Sequence, residues 1–392
     1  MNEPLRVLLV SPAPRAGTTQ YSHNLAAHLG RRGHRIAVLT SVGYELTPYA
    51  RDYTVIEAID GVRPRPLRWR TLWGALRELR PQIVHYQGGQ HPELLLLLDL
   101  LLRSVTPART ARAVYTPQDL ASNNRRPYHD WATRRLWARM DHLFLNSQQN
   151  LVEAREKLRL GIRAATVVPI PDLLDFVRHD VRAEPPNVPA DRKLVLCFGL
   201  IEPRKGIPTL LAAFPDVVMR VPAAHLAIVG KPLMDMATLR EQLARQGLQD
   251  RVTLVPDYVS FERMSGWFER ADVVVLTYES GWNSGIIPVA FGYGKPVVAT
   301  TVAGTAEVVR DGRTGMLIPP ADPQRLADAL STLLADDALR ASMRPHIAQA
   351  AAGLGWRPLV EATEAVYREV LERRVVLDFV KPQPPPRKWD TP

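Results

Sequence analysis

The sequence has very little cysteine. Cys197 is the single cysteine among 392 residues, so the chain cannot form an internal disulfide. This composition excludes a small secreted scaffold held together by disulfides and agrees with a reducing compartment. Cys197 lies in the apolar segment KLVLCFG (193–199), which favours an ordinary buried thiol over a reactive one.

Hydrophobic runs long enough to span a membrane are also missing. The apolar stretch LLLLLDLLLRSV (94–105) is too short for a span and contains Asp99 and Arg103, so we expect a buried helix. The first residues, MNEPLRVLLVSPAP, place an acidic residue and a proline before a short apolar segment, which is not the pattern of a signal peptide. We therefore expect a cytoplasmic protein.

Two sequence signatures of cofactor and metal binding are absent. The three-glycine dinucleotide fingerprint and its downstream ribose-binding acid do not occur, which disfavours a nicotinamide-dependent dehydrogenase. His85 and His91, at the end of a predicted strand, have no third ligand at a spacing typical of metal sites. The sequence therefore predicts no bound metal and no cofactor.

Positive charge, in contrast, is in excess. Lys and Arg outnumber Asp and Glu by 50 to 40, a net charge of +10, which favours anionic partners such as phosphates or anionic lipid. Arginines and tryptophans are interleaved at 61–81 and 123–140, a mixture typical of a membrane-interface segment, although the same aromatics would also fit packing onto the first domain. No nucleic-acid-binding motif accompanies the charge, so nucleic acid is not an expected partner. The tryptophans concerned are Trp69, Trp73, Trp131 and Trp137.

Short apolar runs alternate with amphipathic stretches through the first half. RVLLVS (6–11), the helical TQYSHNLAAHLGRRG (19–33) and RIAVLTS (35–41) form a β–α–β unit. Because strands and helices continue to alternate, a parallel sheet is predicted. The further predicted strands are 82–87, 112–117, 142–147 and 165–170.

A second series of strands follows an interruption rich in proline and charge, RAEPPNVPADRK (182–193). Its strands are continuously apolar, which indicates a parallel sheet covered by helices on both faces. The predicted fold class is therefore α/β, with two Rossmann-like doubly wound domains facing across a cleft. The predicted parts are a first domain (1–183), a second domain (191–356), a helix packing back toward the first domain (357–376) and a proline-rich tail (381–392).

Three loops after predicted strands carry anion-binding features. Gly17 and Thr18 begin a helix, where free N–H groups favour an anion, although they also fit an ordinary helix cap. Arg204 and Lys205 lie between a strand and a helix, where they could neutralise a diphosphate or form a solvated pair. A third helix start is predicted because Pro288 fits only the first turn of a helix. It comprises Ser284, Gly285 and Ile286.

The second half resembles the donor-binding domain of glycosyltransferase family 4, a GT-B family. The likeness rests on FGLIEPRKGIPTLLAAF, HLAIVGK, RVTLVPDYVS, RADVVVLTY and GYGKPVVATTVAGTAEVVRDGRTGMLIPPADPQRLADAL, in the family's order. The first half resembles the acceptor domain through GTTQYSHNLAAHLGRRGHRIAVLTS, QIVHYQGG, YTPQDL and DHLFLNSQQNL. The resemblance implies retaining, metal-independent transfer of a sugar from a UDP- or GDP-sugar, with Arg204 and Lys205 at the donor diphosphate.

The sequence departs from the family's pattern in the donor loop. Gly281 and Val289 stand where the family has two glutamates, and neither side chain can accept a hydrogen bond. Glu279 lies two residues before the first of these positions and is predicted to take over the sugar contact. The serine-glycine pair in SGIIPVAFGYGKPV resembles a branch of the family that lacks the second glutamate. In another departure, Leu200 follows the strand glycine where many members have arginine.

A third departure lies in YTPQDL, where Gln118 replaces the histidine that the family places near the anomeric carbon. Glutamine has no titratable proton, so Gln118 cannot be a general base. In the front-face mechanism that the resemblance implies, the leaving phosphate takes the acceptor's proton. Gln118 is then predicted to hydrogen-bond the sugar and Asp119 to orient the acceptor, and a structural role for either is the alternative.

The remaining predicted site residues follow from the same resemblance. Glu307 matches a donor-side position but could instead cap its own helix. His85 and Gln87 are predicted on the acceptor side. The sequence thus predicts a glycosyltransferase acting on a sugar, lipid-linked or small-molecule acceptor, in cell-surface polysaccharide, glycolipid or natural-product biosynthesis, with peripheral contact to an anionic membrane. The alternative is a catalytically silent relative that binds ligand or partner only.

Overall fold

The structure is a computed structural model that describes most of the 392-residue chain. The described residues are 3–15, 17–50, 52–59, 68–88, 91–105, 107–118, 127–156, 162, 164, 165–184, 186–280, 284–302 and 304–373. The predicted tail at 381–392, the predicted site residue Asp119 and the donor-loop position Gly281 lie outside them.

The first half forms a parallel sheet with strand order β3-β2-β1-β4-β5-β6-β7 within the described residues. The strands are β1 (Arg6–Ser11), β2 (Arg35–Ser41), β3 (Thr54–Ile59), β4 (Ile83–Gln87), β5 (Arg112–Thr116), β6 (His142–Leu145) and β7 (Ala165–Val167). The helices are α1 (Gly17–Arg31), α2 (Trp69–Leu79), α3 (Pro92–Val105), α4 (Pro127–Ala138), α5 (Gln148–Glu156) and α6 (Asp175–Asp180).

The second half forms another parallel sheet, in the order β10-β9-β8-β11-β12-β13. Its strands are β8 (Lys193–Phe198), β9 (Ala224–Val229), β10 (Val252–Val255), β11 (Val273–Leu276), β12 (Val297–Thr300) and β13 (Gly315–Ile318). Its helices are α7 (Ile207–Arg220), α8 (Ala237–Arg245), α9 (Phe261–Arg270), α10 (Ile286–Gly292), α11 (Thr305–Val308), α12 (Pro323–Ala335) and α13 (Asp337–Gly353). The predicted α/β class with two doubly wound domains is confirmed.

Strand order reverses at one point in each sheet, and this places the cleft. The reversal falls between β1 and β4 in the first sheet and between β8 and β11 in the second. Loops at the carboxyl ends of strands on either side of such a reversal leave a crevice in which ligands bind. The loops that carry Gly17, Arg204 and Ser284 follow β1, β8 and β11, so all three predicted anion-binding loops open at a reversal point.

Helix α3 is the apolar segment that the sequence predicted as a buried helix. Its Asp99 is fully buried, where it accepts a hydrogen bond from the Tyr86 hydroxyl at 3.0 Å and pairs with Arg103 at 3.3 Å and with Arg139. An acid at this depth needs such partners, because an unpaired buried charge is strongly disfavoured. None of the helices in the described part of the chain is long and apolar enough to cross a bilayer.

The last described helix, α14 (Trp356–Glu372), returns to the first domain. Trp356, Val360 and Tyr367 are buried in a core that they share with strands and the first helix of that domain. The Trp356 ring lies edge-on to Tyr21 of α1, with ring centroids 5.4 Å apart. The described part of the chain therefore passes from the first domain to the second and returns to cover one face of the first sheet.

Candidate functional site

A cavity of about 280 Å³ lies where the two strand-order reversals face each other. The first domain contributes Gly17 and Gln20 to its lining, and the segment after β7 contributes Leu173 and Leu174. Its size is close to the lower end for small-molecule sites. The second domain provides the rest of the lining: Phe198, Gly199, Leu200, Glu202, Arg204, Lys205, Gly230, Lys231, Tyr258, Val259, Met264, Phe268, Tyr278, Ser284, Gly285, Ile286 and Val289.

Arg204 and Lys205 lie together in this cavity on a single 3-10 turn, Pro203–Lys205. The Lys205 ammonium is nearly buried, donates to the Phe198 carbonyl oxygen at 3.0 Å and lies 5.5 Å from the centre of the Tyr278 ring. The Arg204 guanidinium lies 5.6 Å from the same ring. Both cations therefore contact the electron-rich face of one tyrosine. A solvated pair of side chains, the alternative interpretation of the sequence, would have no need of such a contact.

The backbone at Gly199 leaves room for the Lys205 ammonium. Gly199 has φ +106°, and a Cβ atom added there would lie 2.6 Å from Lys205 Nζ. A residue with a side chain would therefore meet both an unfavourable backbone angle and the lysine. Leu200, which replaces the family's arginine, is exposed and lines the cavity with an apolar surface.

Arg204 is incompletely satisfied by the protein. Its Nη2 atom lies 2.6 Å from Glu202 Oε1, an ion pair at a distance that allows attraction but without hydrogen-bond geometry. Its Nε atom is buried and has no hydrogen-bond partner within the described residues. A guanidinium normally uses its donors on planar anions such as carboxylate and phosphate. The side chain thus retains donor capacity beside the cavity.

The third predicted loop lies directly opposite the first domain. Ser284 Oγ is 3.0 Å from the Tyr278 hydroxyl and accepts a hydrogen bond from the Ile286 N–H at 3.3 Å. Leu173 is wedged between the two helix starts: Cβ atoms built at Gly17 and Gly285 would lie 3.6 Å and 2.7 Å from its Cδ1 atom. The structure therefore brings the loops after β1 and β11 to opposite sides of one leucine.

Gln118 lies beside the start of α1. Its Oε1 atom accepts a hydrogen bond from Thr18 Oγ1 at 3.1 Å, which connects two predicted site residues. Its Nε2 atom is buried and has no partner among the residues described, so the amide keeps a donor that is not used by the protein.

Val289 and Glu279, the two donor-loop residues discussed above, have different surroundings. Val289 is buried and lines the cavity, so the position of the family's second glutamate presents an apolar side chain here. Glu279 is exposed and lies beside the 3-10 turn, where its N–H donates to the Arg204 carbonyl oxygen at 2.9 Å. Its carboxylate accepts from Thr209 Oγ1 at 3.3 Å at the start of α7. In this arrangement Glu279 contacts the turn that carries the two cations.

His85 and Gln87 are not brought to the cavity surface, in contrast to the sequence prediction of an acceptor-side position. Both are fully buried, because alternate residues of β4 point to the face of the sheet that α14 covers. His85 Nδ1 lies 2.6 Å from the Tyr367 hydroxyl of α14, and Nε2 lies 2.7 Å from Thr116 Oγ1. The Gln87 amide nitrogen lies 3.0 Å from the same Nε2 atom. His91 is exposed, 3.2 Å from Glu93.

Burial of His85 predicts an acid-sensitive first domain. Desolvation, with a smaller contribution from the charge of His142, lowers the pKa of His85 to about 3. Because the unfolded chain binds this proton near pH 6.5 and the folded chain does not, stability is full above pH 6.5 and falls as pH decreases. We expect the free energy of unfolding to fall by up to about 1.4 kcal/mol per pH unit below pH 6.5 from this group. We expect urea unfolding at several pH values to show that the free energy of unfolding depends less steeply on pH in His85→Asn. The variant His91→Asn, which replaces an exposed histidine, should keep the pH dependence of the unmodified protein.

Glu307 makes a contact that the sequence did not predict. Its two carboxylate oxygens accept hydrogen bonds from the N–H groups of Gln148 and Gln149, each at 3.1 Å, at the start of α5 in the other domain. Ser147 Oγ accepts from the next free N–H, that of Asn150, at 3.1 Å. Glu307 therefore completes the N-terminal cap of a first-domain helix instead of capping its own helix, and it joins the two domains.

Removing the Glu307 carboxylate should loosen the domains without unfolding either one. In Glu307→Gln the side chain can accept only one of the two N–H groups and loses its charge, a change that amounts to about 1 kcal/mol or less at an exposed helix terminus. We expect small-angle X-ray scattering to show a larger radius of gyration. Ser147→Ala is the matched control, because it removes a cap from the same helix within one domain. An equal expansion in both variants, or none in Glu307→Gln, would contradict the role of Glu307 between domains.

A second contact joins the domains across the cavity. The Tyr258 hydroxyl, after β10, donates to Glu45 Oε2 of the first domain at 2.5 Å. Sequence reasoning missed Tyr258, Tyr278 and Leu173, although Tyr278 stands directly after a predicted strand and before the donor loop, a position that could have indicated it. No group of three or more His, Cys, Asp or Glu within the described part is arranged to hold a metal ion.

Two family models match the chain, one in each domain. Residues 16–172 match the model described as glycosyl transferase 4-like domain, and residues 192–336 match the model described as glycosyl transferases group 1. Together they include all three loops that line the cavity. The boundary between them falls in the segment that separates β7 from β8.

Curated relatives are similar over part of their length. The chain is 34% identical over 247 residues to D-inositol 3-phosphate glycosyltransferase 2 of Catenulispora acidiphila, which covers 59% of this chain and 57% of the relative. It is 32% identical over 205 residues to D-inositol 3-phosphate glycosyltransferase of Mycobacteroides abscessus, covering 51% and 43%. The chain thus spans about half the length of the curated relatives that it matches.

Solved structures match over nearly the whole chain. Sucrose-phosphate synthase from Thermosynechococcus elongatus superimposes with a TM-score of 0.72 at 21% identity, covering 93% of this chain and 99% of that one. Anabaena HepE in complex with UDP-glucose superimposes with a TM-score of 0.67 at 17% identity, covering 93% and 98%. At these identities the likeness establishes the fold. With both family models matched and this shared architecture, the chain belongs to glycosyltransferase family 4 and has the GT-B fold.

Proposed function

We propose that the chain is a retaining glycosyltransferase that moves a hexosyl group from a nucleoside diphosphate sugar to an acceptor hydroxyl. The observation that carries this proposal is the Arg204 and Lys205 pair, held against the Tyr278 ring in a cavity between two Rossmann-like domains. Family membership and the names of the relatives support the activity. UDP and GDP are the donor nucleotides that we expect, and no cofactor or metal takes part.

The two cations meet the main electrostatic demand of this reaction. Negative charge grows on the leaving diphosphate as the bond from the anomeric carbon to the phosphate oxygen breaks. Lys205 is nearly buried, so its charge acts in a less polar surrounding than water and is correspondingly stronger. Arg204 adds guanidinium donors that suit phosphate oxygens. In this arrangement protein cations stabilise the leaving group.

The proton balance of the transfer needs no titratable side chain at Gln118. The acceptor oxygen forms the new bond to the anomeric carbon on the face from which the diphosphate leaves, and its proton passes to a diphosphate oxygen. Gln118, oriented by Thr18, has an unused amide donor that would hydrogen-bond the transferred sugar. We assign Glu279 to the sugar side of the same site, since it lies beside the Arg204 turn. Asp119 stays a predicted acceptor-orienting residue.

The acceptor is the second substrate of the proposed reaction. The relatives' names specify an inositol phosphate acceptor for those proteins, and Anabaena HepE was solved with UDP-glucose. For this chain we propose a hydroxylated acceptor of the sugar, lipid-linked or small-molecule class, used in the cytoplasm for cell-surface polysaccharide, glycolipid or natural-product glycoside synthesis. Since His85 and Gln87 are buried under α14, other first-domain groups at the cavity, such as Gln20, are better placed to contact the acceptor.

A second candidate function is ligand binding without turnover. The observation that favours it is the apolar character of Leu200 and Val289 at cavity positions where the family commonly has an arginine and a glutamate. A binding protein could keep the diphosphate contacts and lose the groups that act on the sugar and ribose.

Nucleotide release from a panel of donors separates the two functions. Purified full-length protein is incubated with UDP- and GDP-sugars, with and without candidate acceptors, and free UDP or GDP is measured together with nucleotide affinity by calorimetry. A transferase releases nucleotide with at least one donor, including by slow hydrolysis. Measurable nucleotide binding without release from any donor would establish the binding protein, and no nucleotide binding would refute both.

A further inference from the structure

The described parts of the two arginine- and tryptophan-rich stretches, 68–81 and 127–140, lie on the same face of the first domain. Leu72 and Leu76 of α2, Leu94 and Leu98 of α3, and Leu136 of α4 pack into one core beneath the first sheet. Helices α1 and α14 cover the opposite face. The outward surfaces of α2, α3 and α4 therefore form one layer, here called the α2–α4 face.

The α2–α4 face exposes an unusual amount of apolar surface. Leu97 and Leu100 of α3 are each 42% exposed, and Tyr128 and Trp131 of α4 are 46% and 58% exposed. Helices α3 and α4 are direct neighbours, and Glu93 of α3 lies 3.6 Å from His129 of α4. Single exposed apolar residues are common, but four on two adjacent helices form a patch of the kind that marks an interaction site.

Arginines accompany the aromatic residues in a repeated arrangement. The Arg77 guanidinium lies 5.5 Å from the centre of the Trp73 ring on α2, and that of Arg135 lies 5.9 Å from the Trp131 ring on α4. In both helices the arginine follows the tryptophan by four residues, so one turn places it over the ring. Arg70 and Arg134 are exposed on the same helices.

Acidic groups on these helices do not cancel the positive charge. Asp99 is fully buried between Arg103 and Arg139, so it contributes nothing to the outer surface. Glu93 is associated with His91 and His129. Glu78 of α2 is exposed and Asp130 of α4 is partly exposed. Against Glu78, Glu93 and Asp130 stand the exposed Arg70, Arg77, Arg134 and Arg135, so the described outer surface of the three helices keeps a positive excess of one charge with the histidines neutral.

We infer that the α2–α4 face docks onto the surface of an anionic lipid bilayer. Tryptophan and tyrosine rings have an apolar body and a polar edge, which suits the boundary between headgroups and acyl chains. Arginine forms paired hydrogen bonds with lipid phosphates while its alkyl stem stays in contact with apolar surface. Nucleic acid would use the arginines but leave Leu97 and Leu100 without a partner, so a bilayer fits the whole patch better.

Docking in this orientation keeps the cleft near the lipid. Helices that follow parallel strands begin at the carboxyl edge of the sheet, so the first turns of α3 and α4, with Tyr128 and Trp131 on α4, lie toward the cleft. This consequence rests on the proposed function, because it concerns an acceptor presented from the membrane. Bilayer docking itself follows from the surface alone and can be tested without turnover.

Vesicle co-sedimentation tests the docking surface. Full-length protein is mixed with phosphatidylcholine vesicles that contain about 30% phosphatidylglycerol, or none, at low and high salt. We expect binding to the anionic vesicles that decreases with salt, and binding at least about tenfold weaker for Arg134→Glu/Arg135→Glu and for Trp131→Ala. Quenching of tryptophan fluorescence by bromolipids should decrease in Trp73→Phe/Trp131→Phe.

Two matched controls distinguish vesicle binding through the α2–α4 face from a general effect of net positive charge or of exposed apolar residues. Arg240→Glu/Arg245→Glu changes the net charge equally, on exposed positions of α8 in the second domain, and should bind vesicles as the unmodified protein does. Met219→Ala removes a 73%-exposed apolar side chain outside the α2–α4 face and should also be neutral. Equal losses in the two charge variants, no binding at low salt, or binding to duplex DNA in place of vesicles would overturn docking. Thermal unfolding shows whether each variant is folded.

Discussion

Lys205→Met should lower kcat/KM for nucleotide-sugar turnover by about 10²–10³, the loss typical of removing one well-placed electrostatic donor. The methionine keeps the length and apolar stem of lysine, so packing against Tyr278 and the Gly199 backbone is retained while the charge is removed. Nucleotide affinity should fall as well, because the cation acts on the diphosphate in both the bound and the reacting state. Steady-state nucleotide release and calorimetry measure the two effects.

Lys193→Met provides the control for this experiment. Lys193 begins β8 and donates to the Leu334 carbonyl oxygen and to Asp337, each at 2.8 Å, away from the cavity. Its replacement removes a partly buried lysine contact of the same domain, so it reports on stability without touching the donor. Unchanged turnover and nucleotide affinity in Lys205→Met would remove the principal contact of the proposed donor site.

Gly206→Ala should reduce both stability and donor binding. Gly206 has φ +62°, and a Cβ atom there would lie 2.1 Å from the Thr277 carbonyl oxygen. Thr277 Oγ1 also donates to the Lys205 carbonyl oxygen at 2.7 Å, so any shift that relieves the clash moves the turn that carries Lys205. Backbone strain and overpacking together predict a loss of about 2–5 kcal/mol in the free energy of unfolding, measured by urea denaturation.

Gly247→Ala isolates the backbone contribution to that loss. Gly247 has nearly the same angle, φ +63°, but no atom lies within 4 Å of an added Cβ. Its substitution should lower stability by about 1–2 kcal/mol and leave nucleotide binding unchanged. If both alanine variants unfolded at the same urea concentration, the close approach at Thr277 would be insignificant.

Most of the fold could be predicted from the sequence because its central strands are continuous apolar runs. The strands missed by the sequence patterns, β3 and β13, are both at sheet edges. TVIEAI in β3 carries a glutamate in the middle of its run, and GMLI in β13 is short and begins with glycine. Edge strands are half-covered and tolerate polar or small residues, so their composition gives a weaker signal.

The parts of the candidate site that lie within a single loop could be predicted from the sequence. Arg204 and Lys205 are adjacent in sequence and follow a strand, so their common position required no knowledge of distant segments. His85 could not be placed in this way, because its surroundings are set by Tyr367, 282 residues later in the chain. The contacts of Glu307 could not be predicted for the same reason, since its partners belong to the other domain.

The domains are joined by exposed polar contacts and by apolar contacts, and this difference has a consequence for how the gap between them opens. Glu307 at the α5 start and Tyr258 with Glu45 are exposed, and such contacts contribute little individually because water can replace them. The Tyr49 ring of the first domain, in contrast, lies 6.0 Å from the Phe261 ring of α9, and Tyr44 and Leu46 belong to the same buried cluster as the core of the second domain. Exposing these apolar groups to water costs more than replacing an exposed polar contact. We therefore expect the gap between the domains to widen by loss of the polar contacts, with the two halves pivoting about the apolar ones.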